Sequence, residues 1–162
     1  MALVPTTVKR SQVKTFLNIG TAETPSWKLI GDGVTTAAVE MNPEVTEEQY
    51  IHQDSPSKFL EAYSPTMPIE AVAKAGDAVF DYIENLYFTR AILDEAKGEI
   101  VHVYLHKTET TGSWPAEKQP VVISVENYGG EKKLSINYTL NYDGDPVTGS
   151  FNPTTATFTA DA

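Results

Sequence analysis

The chain has 162 residues, a composition that is 41% hydrophobic, and a formal net charge of −10 from 22 acidic and 12 basic residues. That is enough apolar material for a real core in one domain, and it excludes a disordered chain. The absence of cysteine excludes disulfides, zinc-thiolate sites and thiol nucleophiles, and the acidity argues against gripping nucleic acid, which needs a basic stripe to displace counterions.

Residues 1–13 contain Pro5, the basic pair Lys9-Arg10 and no hydrophobic period. They read as a flexible N-terminal arm that orders against something else, with a single domain over 14–162. The order of charged and apolar residues at the start does not match a secretory leader, and no apolar run approaches the ~18–20 residues of a membrane helix. The expectation is a protein made in a cytoplasm, with no membrane partner.

Strand candidates follow at 15–19, at 27–30, ended by Gly31-Asp32-Gly33, and at 34–41, rich in Thr, Val and Ala. Residues 42–56 carry Glu44, Glu47, Glu48 and Asp54 with few core formers, Tyr50 and Ile51 being the large apolar pair. They read as a long acidic loop, and a loop of that length in a compact domain is usually functional. Residues 58–63 and 67–75 read as strands, the second only weakly apolar.

One helix is predicted over about 77–90. Val79, Phe80, Ile83, Leu86 and Tyr87 recur at three- and four-residue steps, with Asp77 at the positive helix end and Arg90 at the negative one. After Gly98 the period becomes two: Val101, Val103 and Leu105 fall on one face, His102, Tyr104 and His106 on the other. Trp114-Pro115 reads as part of a linker before a strand at 121–125. The clearest alternation is Leu134, Ile136, Tyr138, Leu140 and Tyr142. Asp143-Gly144 offers hairpin chemistry, and short strands close the chain at 147–151 and 155–159. The fold expected is mainly β, a β-sandwich or partly closed barrel with one flanking helix.

Catalytic chemistry is thin. There is no nucleophile elbow, phosphate loop or dinucleotide fingerprint. His102 and His106 share a strand face but lie ~13 Å apart, too far for one zinc ion with bonds of ~2 Å. Asp143-Gly144-Asp145 lacks the further oxygen donors of a calcium loop. The three glutamates of the acidic loop read as a solvated or subunit-contacting surface, and Asn137-Tyr138-Thr139 matches a glycosylation pattern without a secretory context. No catalytic residue, metal site or cofactor is expected, and the chain does not read as an enzyme.

The order of segments carries a resemblance. Phe16-Leu-Asn-Ile-Gly20 leads to Trp27-Lys-Leu-Ile-Gly31, then to Glu40-Met-Asn-Pro-Glu44 and Tyr50-Ile-His52. Tyr63-Ser-Pro65, Gly76-Asp-Ala-Val-Phe-Asp-Tyr-Ile83 and Gly149-Ser-Phe-Asn-Pro-Thr-Thr-Ala-Thr-Phe158 follow. Over residues 14–160 this succession resembles the major tail tube proteins of long-tailed bacteriophages infecting Gram-positive hosts, which are similar in fold to the tube subunits of contractile tails and type VI secretion. The resemblance implies a structural virion protein whose hexameric rings stack into a tail tube. Double-stranded DNA would pass through without specific binding, and tape measure and tail-end proteins would be partners. Glu44, Glu47, Glu48, Tyr50 and Ile51 in the acidic loop, with Lys9 and Arg10 in the arm, become candidates for contacts between subunits. Thr36, Ala38, Glu40, Glu70 and Lys74, on strands that read as under-buried, become candidates for lining the lumen. The alternatives carried forward are another tail or secretion-tube component, and a β-sandwich ligand-binding module in which the aromatic side chains meet a glycan.

Overall fold

A computed structural model describes residues 4–161. The chain order is β1 (Val13–Asn18), β2 (Trp27–Ile30), β3 (Val34–Ala37), β4 (Pro43–Glu48), β5 (Ser57–Tyr63), β6 (Thr66–Val72), α1 (Ala78–Thr89), β7 (Lys97–Tyr104), β8 (Trp114–Gly129), β9 (Ser135–Tyr142), β10 (Val147–Asn152) and β11 (Thr157–Ala160). The fold is mainly β with a single α-helix, and the large sheet curls into a half-barrel. Its strands run in the order β2-β1-β7-β8-β9-β6-β3, all paired antiparallel.

The alternation read from the sequence sets which residues face inward. On β9, Ile136, Tyr138 and Leu140 are buried and the intervening side chains are half-exposed. They join Leu17, Ile69, Ile100, Val121 and Ile123 in the first core, which α1 enters with Val79 and Ile83. The helix docks because its apolar stripe has nowhere else to go; an isolated helix of this length is marginal in water. Tyr87 stacks on Tyr128 of β8 with ring centroids 4.3 Å apart, and the Tyr128 hydroxyl donates to Glu84 at 2.8 Å. Asp77 stands at the N-cap as expected, but its side chain makes no capping bond; its carbonyl takes the Asp81 N–H instead.

A second core lies on the other face of the sheet. Phe16, Trp27, Val101, Val103 and Ala116 meet Phe151 of β10 there. β1 and β7 are therefore buried on both faces. Phe151 is fully buried, its ring centroid 4.6 Å from Phe16 and edge-on to Trp27 at 6.5 Å. The β10–β11 ribbon pairs only with the first part of β8, so it reaches Phe16 and Trp27 by folding over that face.

Three sequence expectations are corrected here. Trp114-Pro115 is not linker but the start of β8, which runs for 16 residues. Asp143-Gly144 does not turn a hairpin. β9 pairs with β8 from Gly129 back to Val121, and β10 resumes along the same edge of β8 from Lys118 to Trp114. Residues 143–146 are an outward excursion between two collinear strands, fastened by buried Gln119, whose amide donates to the carbonyls of Pro120 (2.9 Å) and Gly144 (3.1 Å). Pro120 falls at the break between the two pairings, where a missing N–H costs no ladder bond. Finally, β6 is not weakly buried: Met67 and Ile69 belong to the first core.

The acidic segment also differs from expectation. Residues 43–48 are strand β4, paired antiparallel with β5 in a two-stranded sheet of their own. β3 and β6 pair up to Ala37 and Ile69, a single Glu40–Thr66 bridge follows, and β4 and β5 then continue the same two strands. The whole is one long hairpin rooted in the half-barrel, and only residues 49–56 at its tip are loop.

At the other end, Arg10–Gln12 form one 3₁₀ turn. The Arg10 guanidinium donates to the carbonyls of Val13 (2.6 Å) and Ala37 (2.9 Å). The last residues of the expected arm are thus fastened to the body, while residues 4–9 are exposed without regular structure. Residues 1–3 lie outside the described residues.

Candidate functional site

The hairpin is the first surface of interest. Its outer half packs on no other sheet, and its side chains stay largely in solvent. Val45 and Leu60 face each other across the strands, as do Thr46 and Phe59 on the opposite face. Val45, Phe59, Leu60 and Tyr63 are each about half exposed. Glu47 pairs with Lys58 at 3.3 Å between two exposed side chains, a contact worth little in water. At the tip, Gln53 closes the turn: the Tyr50 N–H donates to its side-chain oxygen at 3.0 Å, and its amide donates to Ser57 at 2.7 Å. Tyr50 stacks on His52, donates its hydroxyl to Glu48 at 2.9 Å, and leaves Ile51 between them fully exposed.

All five contact candidates of the acidic segment, Glu44, Glu47, Glu48, Tyr50 and Ile51, therefore share this projection and are exposed. Lys9 and Arg10 lie elsewhere, at the start of β1. Arg10 is tied to the end of β3 and so stands near the root of the hairpin. Sequence reasoning missed Val45, Phe59, Leu60 and Tyr63, because strands with two open faces show no hydrophobic alternation to read.

The second surface is the outer face of β3, β6 and β9. Thr36 pairs with Glu70, and Glu70 with Asn137; Pro68 pairs with Thr139 beside them. Thr36, Ala38, Glu40, Glu70 and Lys74 are all exposed. This face is uncharged except for the carboxylates of Glu70 and Glu40, with Lys74 just beyond the end of β6. It is the part of the outer face that the β10–β11 ribbon leaves bare.

The third surface is a cleft of about 990 Å³ inside the half-barrel, below the root of the hairpin. Met41, Tyr63, Tyr104, Tyr142, Glu117 and Asp145 help to line it. His102 forms its floor, hydrogen-bonded through Nδ1 to Thr15 (2.9 Å) and through Nε2 to the Tyr142 hydroxyl (2.5 Å). Both ring nitrogens thus meet hydroxyls, which can donate or accept. Burial pushes its pKa down to about 4, and the Arg10 guanidinium adds to the effect. Burial likewise raises the Tyr142 hydroxyl well above its usual range. His106 stands beyond the end of β7 against Tyr104, so the two histidines do not converge.

Among the described residues no three His, Asp or Glu side chains gather as a metal site, and no helix is long and apolar enough to cross a membrane. No protein-family model and no curated protein matches the chain.

Proposed function

We propose that this chain is a self-assembling structural subunit, the building block of a bacteriophage tail tube, and that it is not an enzyme. The observation that carries the reading is the freestanding hairpin. A two-stranded sheet with both faces in water is marginally stable at best, and this one exposes four large apolar side chains and a bare isoleucine at its tip. Such a projection makes physical sense when a neighbouring copy covers it. A hairpin that inserts into a different surface of the next copy makes a heterologous contact, which closes into rings or runs on as a filament; a stacked-ring tube uses both.

The resemblance over residues 14–160 supplies the particular assembly. In that reading the bare polar face with Thr36, Glu40 and Glu70 turns to the lumen. Carboxylates there repel phosphates over a Debye length, about 8 Å at physiological salt, so passing DNA finds no point of attachment. The tape measure protein and the tail-end proteins are the partners, and the virion tail is the location.

The test is electron microscopy and sedimentation of concentrated protein beside a variant in which residues 43–63 are replaced by a short turn. Stacked rings from the full chain and monomers from the variant are expected. Rings formed equally well without the hairpin would overturn its role. A second reading, a ligand-binding module, rests on the tyrosine-lined cleft above His102. It predicts a stable monomer that binds glycans, with binding lost in Tyr104→Ala.

A further inference from the structure

On the proposed assembly the hairpin needs a receptor, and two of the larger concavities on the chain offer themselves; a smaller one beside Arg10 and Lys14 lies at the root of the hairpin rather than across from its tip. The cleft above His102 is the larger, but the charged residues that line it, Glu117 and Asp145, are both acidic. The hairpin is acidic too: Glu44, Glu47, Glu48, Asp54 and Glu61 stand against the single Lys58. Like charges brought together at a desolvated contact cost several kcal/mol, so the cleft is the wrong partner.

The second concavity is a notch of about 540 Å³ where α1 ends over β8. Leu86, Ile92, Leu93, Ala96, Ile123 and Val125 form its walls, and its one charged residue is the cation Arg90. Arg90 lies over Tyr87, its guanidinium carbon 4.5 Å from the centre of the ring. Two backbone positions shape the notch. Arg90 closes the helix with φ 52°, and Leu93 follows with φ 55°. Neither is glycine, and a bulky residue in this left-handed region is strained. The conformation leaves Ile92 and Leu93 turned outward, 69% and 80% exposed. Strain spent on exposing aliphatic side chains is intelligible where those side chains meet a partner.

We infer that Ile51, at the hairpin tip of one copy, seats in this notch on a second copy, with Arg90 meeting the hairpin carboxylates. The inference rests on the assembly reading and adds the receptor surface that reading leaves open. Shape, polarity and charge agree. The tip turn is already fixed by Gln53, so docking freezes little further motion. A bare isoleucine enters an apolar recess, and an acidic arm meets that recess's lone cation. Tip and notch are different surfaces of one chain, so each copy both gives and receives.

The absence of native cysteine makes a clean experiment. Ile51→Cys and Leu93→Cys are made as separate proteins of different tag length, mixed at assembling concentration and mildly oxidised. The mixed disulfide dimer is the expected main product. Adding Arg90→Glu to the Leu93→Cys protein should lower its yield about tenfold, since the hairpin then meets a like charge. Preferential joining of Ile51→Cys to Asp145→Cys would assign the tip to the larger cleft and overturn the inference. Wild-type rings under the microscope with neither disulfide formed would overturn it too, while leaving assembly intact. A chain that stays monomeric at every concentration would remove both readings together.

Discussion

The half-barrel and the hairpin are built from the same two strands, yet they obey different rules. Between Val34 and Ala37 and between Thr66 and Val72 those strands lie in a sheet with a core beneath, and Met67 and Ile69 are buried. A few residues on, past the Glu40–Thr66 bridge, the same strands leave the body and bury almost nothing. One half is stabilised by what it packs on within the chain. The other carries apolar side chains without packing partners, which adds little to folding and suits association. On the proposed assembly, stability and association are divided along one continuous ladder, and each half can be perturbed alone.

The largest effect is expected in the second core. Phe151→Ala removes a fully buried ring that touches Phe16 and Trp27, and deletions of this kind cost about 3–5 kcal/mol. Chemical denaturation of the isolated subunit should show the loss. A change below about 1 kcal/mol would mean that the β10–β11 ribbon is not part of the cooperative unit.

Next comes pH. His102 is neutral when folded, with a pKa of about 4, against about 6.5 in an unfolded chain. The unfolded state therefore binds the proton more readily. The stabilisation from this group is fully present above about pH 6.5 and is lost as pH falls towards 4. At about 1.4 kcal/mol for each pKa unit of difference, the loss reaches roughly 3 kcal/mol. The charged groups facing the ring are Arg10 and Glu117, with Tyr104 and Tyr142 beside them. His102→Asn should flatten the stability curve between pH 6.5 and 4 in urea titrations. An acid slope in that variant identical to the parent's would remove the role given to His102.

The same division explains what the sequence disclosed. β9 and α1 were readable because each has one buried and one open face, which writes a period of two or of 3.6 into the residues. Of the hairpin, β5 was legible as a strand over 58–63, but β4 was hidden because a strand open on both faces writes no period, and its glutamates then look like loop. β10 was placed but mispaired: Asp143-Gly144-Asp145-Pro146 has the composition of a hairpin turn, and the same composition serves an excursion between collinear strands. Trp114-Pro115 was taken for linker because proline usually ends a strand, yet Pro115 precedes the β7 pairing, which begins at Ala116. Of the candidate site residues, Glu44, Glu47 and Glu48 were singled out by charge and those proposed for the lumen by low hydrophobic contrast. The notch around Arg90 left no trace, since a left-handed helix end with exposed Ile92 and Leu93 is spelled like any other helix end.

The smallest expected effect on the subunit is the one that sharpens the comparison most. Val45 and Leu60 oppose each other on the hairpin and are about half exposed. Replacing both by threonine keeps a β-branched side chain at Val45 and introduces one at Leu60, so the strand preference survives, and removes apolar surface that buries little within the chain. Substitutions at such exposed positions change stability by less than about 0.5 kcal/mol. The unfolding midpoint of the double variant should therefore match that of the parent, while the rings proposed for the parent, scored by electron microscopy at equal concentration, should be lost or greatly reduced. Phe151→Ala should show the converse order of events, a subunit that unfolds early and assembles only in so far as it is folded. If the double threonine variant instead unfolds several degrees early, the hairpin contributes to the body's own core and the division fails. If it is as stable as the parent and assembles as readily, the apolar pair is not what neighbouring copies grip, and the contact passes to Ile51 and the carboxylates alone.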